Sequence, residues 1–126
     1  NSDALEAVLA CAEGTLKDTK ITWKKSTALV VVMAAEGYPG KYAKGTHINN
    51  LDAANAIKGV EVFHAGTTLK DNKVVSDGGR VLGVTSIGKT VKDAQQHAYQ
   101  GVDAIEWPEG FCRRDIGWRA IEREEA

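Results

Sequence analysis

The chain has 126 residues, enough for one domain with its own core, and its 43% hydrophobic and 26% charged content is ordinary for a globular fold. A net charge of −1 argues against a nucleic-acid surface as the main function. The longest apolar run, Ala28 to Ala35, falls well short of the roughly 18 residues of a membrane span and suits a buried strand.

The first residue is Asn1 rather than methionine, as expected of a piece of a longer or processed chain. Asp3 to Glu13 is predicted as a helix, with Ser2 as its cap and Gly14 as its stop. Leu5, Val8, Leu9 and Ala12 fall at i, i+3, i+4 and i+7, giving one apolar face. Ile21 to Trp23 is expected as a short strand, and Ala28 to Ala34 as a longer one, apolar on both faces. Gly37-Tyr38-Pro39-Gly40 ends it in a turn, and Lys41 to Asn50 is expected as loop. Leu51 to Ile57 fits a short helix or an ordered turn. Val60 to His64 alternates like a strand with one wet face, and Thr67-Thr68-Leu69 and Lys73-Val74-Val75 flank a hairpin tip at Lys70-Asp71-Asn72. Arg80 to Ser86 is a further strand. Thr90 opens a capping box with Asp93, and Val91, Ala94, Ala98, Val102 and Ile105 mark the buried stripe of the helix that follows. The segment from Arg113 to Ile121 is expected as a docked terminal strand, with Ile116, Trp118 and Ile121 as anchors. Grouped strands favour an α+β fold, mainly antiparallel, with an N-terminal helix and one helix near the C-terminus.

Several chemistries find no support. His47, His64 and His97 are isolated from one another and from the cysteines, so no zinc spacing is present; His97 is expected at the surface. Cys11 and Cys112 are read as reduced thiols, although spacing alone leaves a bridge between them open. There is no Gly-x-Ser-x-Gly elbow, P-loop or Gly-x-Gly-x-x-Gly fingerprint. Gly37 to Gly45 reads as a rigid surface loop, from which Lys44 could face a neighbouring domain or its substrate.

Two runs remain. Phe63-His64-Ala65-Gly66-Thr67 and Gly78-Gly79-Arg80-Val81-Leu82 each join small residues to a strand. They read either as turns with a surface arginine or as an anion cradle, in which close-approaching backbone and the Arg80 guanidinium hold a phosphate. His64 fits a structural hydrogen-bonding role and a ligand-facing one equally.

Taken in order with Gly37-Tyr38-Pro39-Gly40 and with Arg113-Arg114-Asp115-Ile116-Gly117-Trp118-Arg119-Ala120-Ile121, these runs resemble the C-terminal region of the phosphoribosylamine–glycine ligase family, over nearly the whole chain. The resemblance implies a compact, barrel-like antiparallel sheet. It makes residues 1–16 the end of an upstream ATP-grasp region and residues 17–126 the C-terminal domain. It implies a cytoplasmic purine-synthesis enzyme that joins glycine to phosphoribosylamine. ATP and magnesium (or manganese) would be bound outside this stretch, and the stretch alone would be inactive. The partners implied are phosphoribosylamine, glycine and the N-terminal and ATP-grasp domains, with no nucleic acid and no membrane. Its site residues here would be Arg80, Gly79, Gly78, Thr67, Gly66 and His64 for the phosphoribosyl phosphate. Lys44, Arg113 and Arg114 are candidate interdomain or substrate contacts. No catalytic and no metal-binding residue is expected. The rival is a non-catalytic module of barrel-sandwich type carrying a modified lysine at a hairpin tip, but Lys70-Asp71-Asn72-Lys73 lacks the methionine such a tip commonly has. A third reading is a domain that only docks within its own polypeptide.

Overall fold

The computed structural model describes residues 1–126. In chain order the elements are α1 (Ala4–Glu13), a 3-10 turn (Leu16–Asp18), β1 (Thr27–Ala35), α2 (Leu51–Asn55), β2 (Val60–His64), β3 (Thr67–Lys70), β4 (Lys73–Ser76), β5 (Arg80–Gly88), α3 (Val91–Ala104), β6 (Gly110–Phe111) and α4 (Trp118–Glu125).

The β-branched run of β1 pairs antiparallel with β5, from Thr27↔Gly88 to Ala34↔Arg80, with a bulge between Met33 and Ala34. β2 lies on the far side of β5 and β6 on the far side of β1, so the sheet order is β2-β5-β1-β6. β3 and β4 form a separate hairpin, and Asp71 and Asn72 take its two positive-φ turn positions at 50° and 59°. The fold is therefore α+β and antiparallel. The strands do not close into the expected barrel, because β2 and β6 are open edges.

α3 covers one face of the sheet. Its first turn is held by the expected box: Asp93 N–H donates to Thr90 Oγ1 at 3.1 Å, and Thr90 N–H donates to Asp93 Oδ2 at 3.3 Å. Ala94 and Ala98 are wholly buried, and the Ser86 hydroxyl on β5 donates to the Ala94 carbonyl. Val31, Val81, Leu82 and Val84 complete the centre of the core beneath α3. Trp107 closes one end; its Nε1–H donates to Thr46 Oγ1 at 2.8 Å, and that oxygen shares a 2.7 Å hydrogen bond with Ser76 Oγ at the end of β4.

Several expectations are corrected. There are four helices: α2 takes the helical alternative for Leu51 to Ile57, and α4 is additional to the helices expected. Trp118–Glu125 is helical, not a docked strand: Arg, Glu and Ala favour helix, and Gly117 at φ 89° starts it without a side-chain cap. α4 packs back on α3, with Glu124 accepting from the Val91 N–H at 2.9 Å and Glu125 pairing with Lys92 at 3.2 Å. Asp3, not Ser2, caps α1 by accepting from the Leu5 N–H at 2.8 Å. Ser2 bonds instead to Thr22, so Ile21 to Trp23 meets the N-terminus and joins no sheet. His97 is half-buried, and its Nδ1 meets the Ile87 carbonyl at 3.1 Å. Both cysteines are free, in agreement with their reading as reduced thiols.

Candidate functional site

The two glycine-bearing runs do meet. After β2, the amides of Ala65 and Gly66 both donate to the Val81 carbonyl, at 3.0 and 3.1 Å, and the Asp77 N–H donates to the Gly66 carbonyl at 2.8 Å. The entry of the hairpin is thus laced to its exit, backbone on backbone. A Cβ on Gly66 would stand 2.6 Å from the Arg80 carbonyl, and one on Gly78 would stand 3.1 Å from the Gly66 Cα. Only glycine permits this approach. The Gly66 amide is consumed within the chain, so the pair serves as a joint, and an anion held here would rely on side chains. Lys44 guards the same joint through an exposed 3.4 Å pair with Asp77.

Gly79 has a different neighbour. A Cβ there would come within 2.1 Å of Tyr38 Cδ2, so the tyrosine ring lies directly on this glycine. The ring forms one wall of a cleft of about 200 Å³ beside Arg80. Val30, Val32, Phe111 and Ile116 make its apolar floor, and Arg80 and Arg113 bring positive charge to its edge.

The arginines are held differently. Arg113 makes a two-pronged contact with Asp115, Nε to Oδ1 at 2.9 Å and Nη2 to Oδ2 at 2.6 Å. That hydrogen-bonded pairing raises the arginine's pKa and holds the Asp115 carboxyl below the usual carboxylate range. Arg114 pairs with Asp103 at 2.6 Å and lies over the Tyr99 ring at 5.4 Å. Burial pushes the nearby Cys112 thiol up, against the pull of Arg114. Arg80 is exposed and makes no ion pair: the four in the chain involve Lys44, Lys92, Arg113 and Arg114. It is the cation of this cleft left free for an outside anion.

His64 and Thr67 share a 2.9 Å hydrogen bond but open elsewhere. His64 lines a polar cleft of about 450 Å³ with Asn49, Asp52, Asn72 and Lys73, between the hairpin and α2. The expected phosphate set is therefore divided: Arg80 lies at one cleft with Gly79 under the Tyr38 ring, His64 lies at another and is bonded to Thr67, and Gly66 and Gly78 form the joint between; Arg113, expected as an interdomain or substrate contact, lines the Arg80 cleft. Arg114 is turned toward α3 by Asp103. Tyr38 and Phe111 line the Arg80 cleft and were not among the expected residues; the proline turn holding Tyr38 and the glycine pair at 78 and 79 were the available signals. No group of three or more His, Cys, Asp or Glu side chains is placed to hold a metal ion. No helix is long and apolar enough to cross a membrane.

Comparison with known proteins gives consistent matches. The family model of the phosphoribosylglycinamide synthetase C domain matches residues 28–119. The phosphoribosylamine–glycine ligase of Brucella melitensis is 52% identical over 126 residues, covering 100% of this chain and 30% of that protein. The chloroplastic phosphoribosylamine–glycine ligase of Arabidopsis thaliana is 49% identical, covering 98% of this chain and 24% of its own length. Among solved structures, the phosphoribosylamine–glycine ligase of Thermotoga maritima superposes with a TM-score of 0.69 at 29% identity, covering 89% of this chain and 28% of that one. The chain thus spans less than a third of the length of these relatives.

Proposed function

Because the chain belongs to the phosphoribosylglycinamide synthetase C-domain family, we propose that it works as the C-terminal part of a phosphoribosylamine–glycine ligase in cytoplasmic purine synthesis. The reaction activates the glycine carboxylate as an acyl phosphate at the expense of ATP; the amine of phosphoribosylamine then displaces that phosphate. In this reading ATP and the magnesium or manganese are bound by residues outside this chain, and the chain alone is inactive. Its partners are phosphoribosylamine, glycine and the N-terminal and ATP-grasp domains of its own polypeptide.

The role left to this part is positioning. The observation that carries it is Arg80, an exposed and unpaired guanidinium above an apolar cleft, with Arg113 fixed beside it by Asp115. A guanidinium gives two parallel N–H donors to a phosphate, and the apolar floor strengthens the pairing by excluding water from one side. Arg80 anchors the 5-phosphate of phosphoribosylamine in this reading. Gly66, Gly78 and Gly79 set the shape, and His64 with Thr67 offers polar contacts on the hairpin side. Lys44 faces the neighbouring domains, whereas Arg114 is held on α3 by Asp103.

The test uses a full-length enzyme in which this sequence replaces the matching region of the Brucella melitensis relative. Losing a hydrogen bond to a charged group costs about 1.5–3 kcal/mol, or roughly 10- to 150-fold in affinity. Arg80→Ala is expected to raise the KM for phosphoribosylamine by that factor while leaving the KM for glycine near its parent value. An unchanged KM for phosphoribosylamine would remove Arg80 from the site.

A further inference from the structure

Two clefts meet at Arg113. One is the Arg80 cleft; the other, of about 350 Å³, runs along the start of α4 and is lined by Asp115, Trp118, Arg119 and Arg123. Arg113 and Ile116 line both, so the two form one trough. Each guanidinium of the second cleft is held by a neighbour. Arg113 is forked onto Asp115, which takes up two of its five N–H donors and leaves the others free. Arg119 lies over the Trp118 ring at 5.1 Å, and Arg123 Nε–H donates to the Arg119 carbonyl at 3.1 Å, one turn back along the helix. Neither Arg119 nor Arg123 makes an ion pair. The acids of α4 do not offset them: Glu124 and Glu125 turn to the start of α3, and Glu122 does not line the cleft. Three guanidiniums and one carboxylate therefore face one concave surface, in a chain whose net charge is −1. Such a cluster repels itself and raises the local concentration of anions. Arginines already held by their neighbours lose little side-chain freedom when an anion arrives.

We propose that this trough is a site for a ligand carrying two linked phosphoryl groups, the first at Arg80 and the second among Arg113, Arg119 and Arg123. Phosphoribosylamine, with its single phosphate, fills only the Arg80 end, so a diphosphate compound competes with it. That competition, unlike the site itself, rests on the ligase reading above. A small diphosphate fits better than a nucleic acid, because the positive charge is confined to one short trough and the chain as a whole is not basic. Free pyrophosphate and a nucleoside diphosphate present the same group to the arginines.

Isothermal titration of the 126-residue chain, in metal-free buffer of fixed ionic strength, compares inorganic phosphate, inorganic pyrophosphate and adenosine diphosphate. Pyrophosphate is expected to bind at least about tenfold more tightly than phosphate, the factor that one further hydrogen bond to a charged group supplies. The double variant Arg119→Gln, Arg123→Gln keeps good helix formers in α4 and should erase that advantage. The control Lys58→Gln, Lys70→Gln removes the same charge from exposed, unpaired lysines and should preserve it. Adenosine diphosphate binding as tightly as pyrophosphate would make the diphosphate alone the recognised group, and tighter binding would add a contact to the nucleoside. An advantage that survives the arginine variant, or falls as far in the lysine control, would overturn the proposal. In the full-length enzyme described above, with magnesium in excess, pyrophosphate should raise the apparent KM for phosphoribosylamine, and the arginine variant should relieve this. If titration of the full-length enzyme shows no effect of the arginine variant on pyrophosphate binding, the trough is covered there and the proposal fails. If that binding does depend on the arginines but pyrophosphate leaves the KM for phosphoribosylamine unchanged, the diphosphate site stands and the placement of phosphoribosylamine at Arg80 falls.

Discussion

Gly79 owes its identity to a contact 41 positions away in sequence. The Tyr38 ring occupies the space a side chain would need, with Cδ2 only 2.1 Å from where a Cβ would stand. Gly79→Ala must therefore displace the ring or the strand entry, an overpacking that typically costs about 1–3 kcal/mol. Urea unfolding should show that loss, and adding Tyr38→Ala should return part of it, because the clash then has no second partner. Additive losses would place the ring elsewhere. Asp115 makes a second prediction at this scale. Its carboxyl titrates below the ordinary aspartate range because Arg113 hydrogen-bonds and attracts its charged form. A lowered folded-state pKa contributes stability above the ordinary carboxylate range, and that contribution is lost as pH falls through the lowered value. The pair is fully exposed, so the expected readout is its titration: carbon-13 NMR of Asp115 should move upward in Arg113→Ala. An unmoved midpoint would mean that the pair does not persist in solution.

At the scale of elements, Gly101 sets two effects against each other. Within α3, alanine is favoured over glycine by about 1 kcal/mol. A Cβ at this position, however, would stand 2.8 Å from Val60 Cγ1 and 2.9 Å from Val84 Cγ1, both on buried strand residues. Both valines are buried against α3 and have little room to move, so the overpacking cost of about 1–3 kcal/mol should win. Gly101→Ala is expected to lower stability by about 1 kcal/mol, and Val60→Ala in the same chain to reduce that deficit; a stabilised Gly101→Ala would show that the helix can lift. β1, β2, the hairpin, β5 and α3 were legible because period, turn residues and a capping box agreed on each. α4 was not: its start is Gly117 at positive φ, with no serine, threonine or aspartate to announce it, and its isoleucine and tryptophan anchors suit a strand as well. The open sheet was illegible for a different reason, since local pattern says nothing about whether edges close. In the site, Arg80 was readable from the glycines before it, whereas Tyr38 and Phe111 reach the cleft only through tertiary packing. The division between Arg80 and His64 follows from cleft geometry that no spacing encodes.

For the whole molecule, the packing draws a line just before β1. No residue of 1–25 belongs to the main core, and of these only Ala10 is buried. Leu5, Val8, Leu9 and Trp23 are 71%, 65%, 53% and 82% exposed. The hydrogen bonds of this arm stay within it, from Ser2 to Thr22 and from Thr15 to Ala10, so residues 17–25 hold to α1 rather than to the sheet. The family match begins at residue 28, in agreement with that line. The arm thus carries an exposed apolar surface of its own. Deleting residues 1–25 removes exposed apolar area and no core contact, so urea unfolding of 26–126 should give a stability within about 0.5 kcal/mol of the parent, the range usual for changes away from buried features. The same deletion should improve solubility, because large exposed apolar side chains promote association. A loss above about 2 kcal/mol would instead make the arm part of this domain's own core, and Leu5, Val8 and Leu9 would then have to find their partners on the sheet rather than upstream.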